Sequence, residues 1–166
     1  MNKVWLFALL FVLSACASTP RFHAVCVSTA PATALLTITA EGRPAQHLLL
    51  HAEQQPSGSV WVALDTLGTP LFTARQRGDQ LSAEARLGYR GADPLALLWG
   101  YQWWLLQETG ADLNACAAAT GYQLEQSDEG VSVGSRQPRW HWRHTAPAAF
   151  ELPEEQLRVQ VKVIEP

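Results

Sequence analysis

Charge is scarce in this chain. Lys, Arg, Asp and Glu make up 16% of its 166 residues, and 15 acids outnumber 12 bases for a net charge of −3. A phosphate-binding surface normally shows a basic patch, so no nucleic-acid partner is expected. The chain also lacks a glycine-rich phosphate loop. Ser57-Gly58-Ser59 and Gly134-Ser135 lack the flanking glycines and strand-to-helix context of a nucleophile elbow. Paired carboxylates occur only at Asp128-Glu129 and Glu154-Glu155, where they read as solvated turns. Histidines are poorly placed for a metal. His141 and His144 stand three apart in a strand-like segment and so point to opposite faces, while His47 and His51 are separated by about 13 Å along one strand face. His23 and Cys26 are also three apart, in an irregular segment where a disulfide competes for the thiol. These absences predict no catalytic residues, no metal, no cofactor and no enzyme.

Apolar length is lacking too. The run Val4–Leu13 is too short to cross a hydrocarbon layer of roughly 30 Å, which takes about 20 residues. It follows a weakly basic opening, Asn2-Lys3, and ends at Leu13-Ser14-Ala15-Cys16, which is the pattern of an export signal. Leu-Ser-Ala-Cys resembles the lipobox of bacterial lipoproteins. The alternative is an ordinary secretory signal with a chance cysteine. The resemblance implies removal of residues 1–15, acylation of Cys16 and a lipidated tether over 16–32. With Ala17 and Ser18 rather than Asp after the cysteine, it further implies the outer membrane, with the domain facing the periplasm. About 150 residues remain, the size of one domain, with a net charge near −4 once Lys3 is gone.

There are three cysteines. With Cys16 assigned to lipid, Cys26 and Cys116 form an even pair in an oxidising compartment. A bridge between them would close a loop of about 90 residues and contribute about 4–5 kcal/mol in the chain-entropy model. Two separate buried thiols are the other reading.

From Thr33 the hydropathy alternates with period two. Leu36/Ile38/Ala40, Leu48/Leu50/Ala52, Val60/Val62/Leu64, Phe72/Ala74 and Leu81/Ala83/Ala85/Leu87 mark five short strands separated by Gly- and Pro-bearing turns. Asp93 then suits an N-cap and Pro94 a first helical position. The segment Leu95–Gln107 is interrupted by one polar residue, Gln102, so the helix is apolar all round. Gly100 in its middle permits close approach by another backbone. A second helix is predicted over Ala111–Ala119, ending near Gly121, and four more strands follow, the clearest at Leu157/Val159/Val161/Val163. The expected fold is mainly β: over residues 33–166, one curved antiparallel sheet of about nine strands, with a helical insert at about 93–119 packed on its concave face.

Seven tryptophans are many for this length. Trp99 and Trp103 share a helix face, Trp140 and Trp142 share a strand face, and Trp61 lies on another strand. With Leu95 and Leu98 they either fill the core or line a cavity for an acyl chain or similar hydrophobe.

The stretch Val62-Ala63-Leu64-Asp65-Thr66-Leu67-Gly68-Thr69-Pro70-Leu71-Phe72-Thr73, then Gly78-Asp79, resembles the strand, Leu-Gly turn, strand, Asp/Gly turn pattern of LolA/LolB-like lipoprotein carriers. The helix opened by Ala92-Asp93-Pro94-Leu95, before strands return, matches their order. Over residues 33–166 the chain also resembles a family of bacterial outer-membrane lipoproteins often encoded beside aryl polyene biosynthesis genes. The resemblance implies a half-open barrel with a helical lid that binds or passes on a lipid-like molecule in the periplasm, aryl polyene lipid among the cargoes. No counterpart of the protruding apolar loop of LolB stands out. The alternative is a non-catalytic accessory lipoprotein that scaffolds protein partners in an envelope complex.

Overall fold

The computed structural model describes Cys26 and residues 33–56, 58–78, 80–135, 138–146 and 148–164. The signal segment, Cys16 and the tether lie outside the described residues, apart from Cys26. Ten strands form one antiparallel sheet: β1 (Thr33–Ala40), β2 (Gln46–Gln55), β3 (Gly58–Leu64), β4 (Pro70–Arg77), β5 (Gln80–Ala85), β6 (Gln123–Gln126), β7 (Gly130–Gly134), β8 (Pro138–Arg143), β9 (Ala149–Leu152) and β10 (Leu157–Val163). Between β5 and β6 come α1 (Pro94–Glu108) and α2 (Leu113–Thr120).

The spatial order is β5-β4-β3-β2-β1-β10-β9-β8-β7-β6, so two five-stranded meanders are joined where the first strand pairs with the last. Leu36 faces Val161 and Ile38 faces Val159 across that seam. The sheet does not close into a barrel; β5 and β6 are its outer strands. Alternation puts Leu36, Leu48, Leu50, Ala63, Phe72, Phe150 and Val159 on the inner face, each buried.

Among the described residues the strand count is ten rather than nine. The unanticipated β9, Ala-Phe-Glu-Leu, is four residues long and too short to show a period. The inner face of β3 also differs from expectation. Ser59, Trp61 and Ala63 point inward, leaving Val60, Val62 and Leu64 half-buried on the other side. β5 ends at Ala85, so Leu87 is not in it, and is fully exposed.

α1 proves that the sheet bends. Its Trp99 contacts Trp140 on β8, while Tyr101, two residues on, contacts Trp61 on β3. The helix also packs closely on β5 in one arm and β9 in the other, six spacings or roughly 29 Å apart in a flat sheet, more than a helix about 10–12 Å across with its side chains can bridge. The two arms must therefore curve round α1. Among the described residues no helix is long and apolar enough to cross a membrane.

Candidate functional site: an aromatic interior and its mouth

α1 begins where Asp93 caps it. The Asp93 carboxylate accepts hydrogen bonds from the Leu95 and Ala96 amides at 3.4 and 3.1 Å, and Pro94 sits in the first turn. Every residue from Ala96 to Leu106 is buried. A helix apolar on all sides needs cover on all sides. α1 receives it from β4 and β5 in one meander, β8 and β9 in the other, and α2.

The aromatic rings divide into two groups across α1. On one side Trp99 stacks on Trp103 with centroids 6.3 Å apart and meets Trp140 at 6.2 Å, while Tyr122 stands edge-on to Trp140 at 5.2 Å. The Trp140 indole N–H donates to the Ala96 carbonyl at 2.8 Å, tying β8 to the first turn of α1. On the other side Tyr101 stacks on Trp104 at 5.8 Å and takes Trp61 edge-on at 6.1 Å. Gly100 lies between the groups. A Cβ there would stand 2.8 Å from Trp140 Cδ1 and would also overlap the Phe150 ring, so the close approach is by side chains rather than by backbone.

Of the seven side chains expected to line one cavity, Trp99, Trp103 and Trp140 come together. Trp61 belongs to the second group, Leu98 and Trp142 are buried, and Leu95 is half-buried near the N-terminus of α1. Tyr101, Tyr122, Phe72 and Phe150 also form this interior and were not anticipated. Tyr101 is out of phase with Trp99 on the helix, and only a sheet wrapping both sides gives it a partner. These rings occupy the space between α1 and the sheet, so a guest can enter only if α1 shifts.

Four polar atoms in this interior are buried without a hydrogen-bond partner among the described residues: Tyr101 Oη, Trp103 Nε1, Trp142 Nε1 and Gln107 Oε1. Each costs about 1–3 kcal/mol relative to a satisfied group. Burial pushes the Tyr101 hydroxyl up to about 12.

At one end of the sheet lies an open cavity, here called the mouth. Here the β1–β2 turn, the segment leading into α1 and the 3-10 turn Pro153–Glu155 surround a cavity of about 430 Å³. Ile38 and Ala92, both buried, and the half-buried Leu157 line it, with Arg43, Arg90 and Glu155. The Glu155 carboxylate accepts from the Asp93 amide at 3.2 Å, and the Tyr89 hydroxyl donates to the Ala92 carbonyl at 3.0 Å. Burial raises the Glu155 pKa, against the lowering effect of that amide. Tyr89 is pushed up to about 12 by burial, then by the Glu155 and Asp93 carboxylates. These bonds fasten the start of α1 to the rim.

At the same end an apolar tip appears that the sequence did not reveal. Leu67 is 89% exposed at the apex of the β3–β4 turn. Asp65 holds the turn rigid, its carboxylate accepting from the Leu67 and Thr69 amides at 2.8 Å each, with Gly68 at φ +80°. These amides, Thr69 foremost, lower the Asp65 pKa.

The interior is stapled from behind, where Cys26 and Cys116 of α2 form a disulfide with Cα atoms 5.0 Å apart. The histidines are elsewhere. His47 and His51 meet the hydroxyls of Thr37 and Thr33 across β2–β1, and His141 lies 3.5 Å from Glu151. His144 is exposed. Among the described residues no group of three His, Cys, Asp or Glu could hold a metal ion. The chain matches no protein-family model, no curated protein and no solved structure.

Proposed function

We propose that the protein is an outer-membrane lipoprotein, anchored through an acylated Cys16, whose periplasmic domain binds or hands on a hydrophobic, lipid-like molecule. In this reading the bent sheet is a half-open barrel of the LolA/LolB-like kind and α1 is its lid. The observation that carries it is a helix apolar on every face, lodged between the two arms of an unclosed sheet and flanked by aromatic stacks. A permanent core would not call for four polar atoms without a partner among the described residues. The exposed Leu67, at the same end of the sheet as the mouth, offers an apolar tip toward a bilayer. Aryl polyene lipid fits the cargo class through the resemblance of residues 33–166.

A second reading, a scaffold for envelope proteins, draws on the two outer strands β5 and β6, which bear no further strand among the described residues. Lipid analysis separates the two. Full-length protein purified from membranes is expected to carry about one extractable hydrophobic molecule per chain, and Trp103→Glu, which puts a charge among the rings, to carry much less. Lipid-free wild-type protein that also takes up no added fatty acid would favour the scaffold. For the anchor, Cys16→Ala is expected to move the protein from the membrane to the soluble fraction; continued membrane association would refute acylation at that residue.

A further inference from the structure

The mouth cavity is chemically divided. Its inner wall, Ile38, Ala92 and Leu157, belongs to or packs on the hydrophobic core. Its rim carries two guanidinium groups, Arg43 from the β1–β2 turn and Arg90 from the segment before α1. Both are exposed, and neither side chain has an ion-pair partner among the described residues. The one carboxylate in the lining, Glu155, is engaged with the Asp93 amide at 3.2 Å. Among the described residues, then, the lining sets two unpaired cations against one engaged carboxylate, with Asp93 and Glu154 near enough to act on Glu155 from outside the lining. The volume, about 430 Å³, lies in the range of small-ligand sites.

We propose that this cavity binds the anionic head, a carboxylate or phosphate monoester, of a single-chain amphiphile, with Arg43 and Arg90 clasping the head and the first carbons lying on Ile38, Ala92 and Leu157. The inference rests on the carrier reading for the remainder of the chain and adds the polar end of the ligand to it. Guanidinium groups suit this task because their planar donors match the oxygens of a carboxylate or phosphate. A neutral head would leave both without a partner and would gain only the apolar contact. Free inorganic phosphate shares the head chemistry but forgoes the wall.

The test uses full-length protein reconstituted in phosphatidylcholine nanodiscs, with a diazirine-bearing C16 fatty acid, its methyl ester, and inorganic phosphate as competitor. The acid is expected to label peptides containing residues 38–46 or 90–92, at least tenfold more strongly than the ester. Arg43→Gln/Arg90→Gln should bring acid labelling down to the level of the ester. Both arginines are exposed, so this variant should retain its fold. Millimolar phosphate should displace little of the probe. Equal labelling by acid and ester overturns the head-group site and leaves the carrier intact. Complete displacement by millimolar phosphate, or acid labelling confined to other peptides, also overturns the site. Absence of labelling by either probe removes the carrier reading with it.

Discussion

At the residue scale, the instructive groups are polar ones in apolar surroundings. Tyr101 buries a hydroxyl that meets no partner among the described residues while its ring packs between Trp61 and Trp104. Tyr101→Phe keeps the ring and removes the unsatisfied group. It is expected to leave stability unchanged or raise it by about 1–2 kcal/mol, measured by urea unfolding; a loss above about 1 kcal/mol would mean that the hydroxyl has a partner in solution. Glu155 is the second case. Its pKa is raised in the folded protein. Its favourable contribution is therefore present below the ordinary glutamate range and lost as pH rises through the raised value. Glu155→Gln keeps an acceptor for the Asp93 amide without the charge. The variant should melt above wild type at pH 7, and the difference should vanish near pH 4. A variant less stable at pH 7 would show that the charged hydrogen bond outweighs burial.

At the scale of elements, α1 was legible because its signals are local. Asp93, Pro94 and an apolar run interrupted only by Gln102 specify both its start and its burial, and the structure extends it only to Pro94–Glu108. The second helix begins at Leu113, two residues later than predicted, because Asp112 rather than Gly110 or Ala111 caps it. Strands were legible where one face alone is apolar, as in β10. In β3 both faces are apolar, so the alternation of Val60, Val62 and Leu64 was as good a pattern as that of Trp61 and Ala63, and contact with Tyr101 decides between them. The mouth was not legible at all. Its arginines come from two turns with 46 intervening residues and its carboxylate from a third, and no spacing rule links them. Gly100 offers a test of α1 as a wedge. On an exposed helix Gly→Ala would gain about 1 kcal/mol, yet here the added methyl meets Trp140 and Phe150. Gly100→Ala is expected to cost about 1–3 kcal/mol by overpacking. A more stable variant in thermal melts would mean that the arms of the sheet yield freely around α1.

For the whole molecule, the central seam governs assembly. β1 precedes the other nine described strands and its partner β10 follows them, so the two meanders cannot join until β10 has been made. Such long-range pairing folds slowly, and the disulfide spanning 90 positions shortens the search by tying Cys26 to the second half. Cys26→Ser/Cys116→Ser is expected to lose about 2–5 kcal/mol, read from denaturant midpoints under oxidising conditions; equal midpoints would show that the packed interior alone determines stability. The same bond also fixes a distance. If the anchor is Cys16, the ten peptide steps from there to Cys26 span at most about 36 Å, whereas the seventeen steps to Thr33 would allow about 60 Å. Oxidation thus shortens the leash by some two-fifths. How far from its own bilayer the mouth can travel to meet a donor becomes a property of two sulfur atoms.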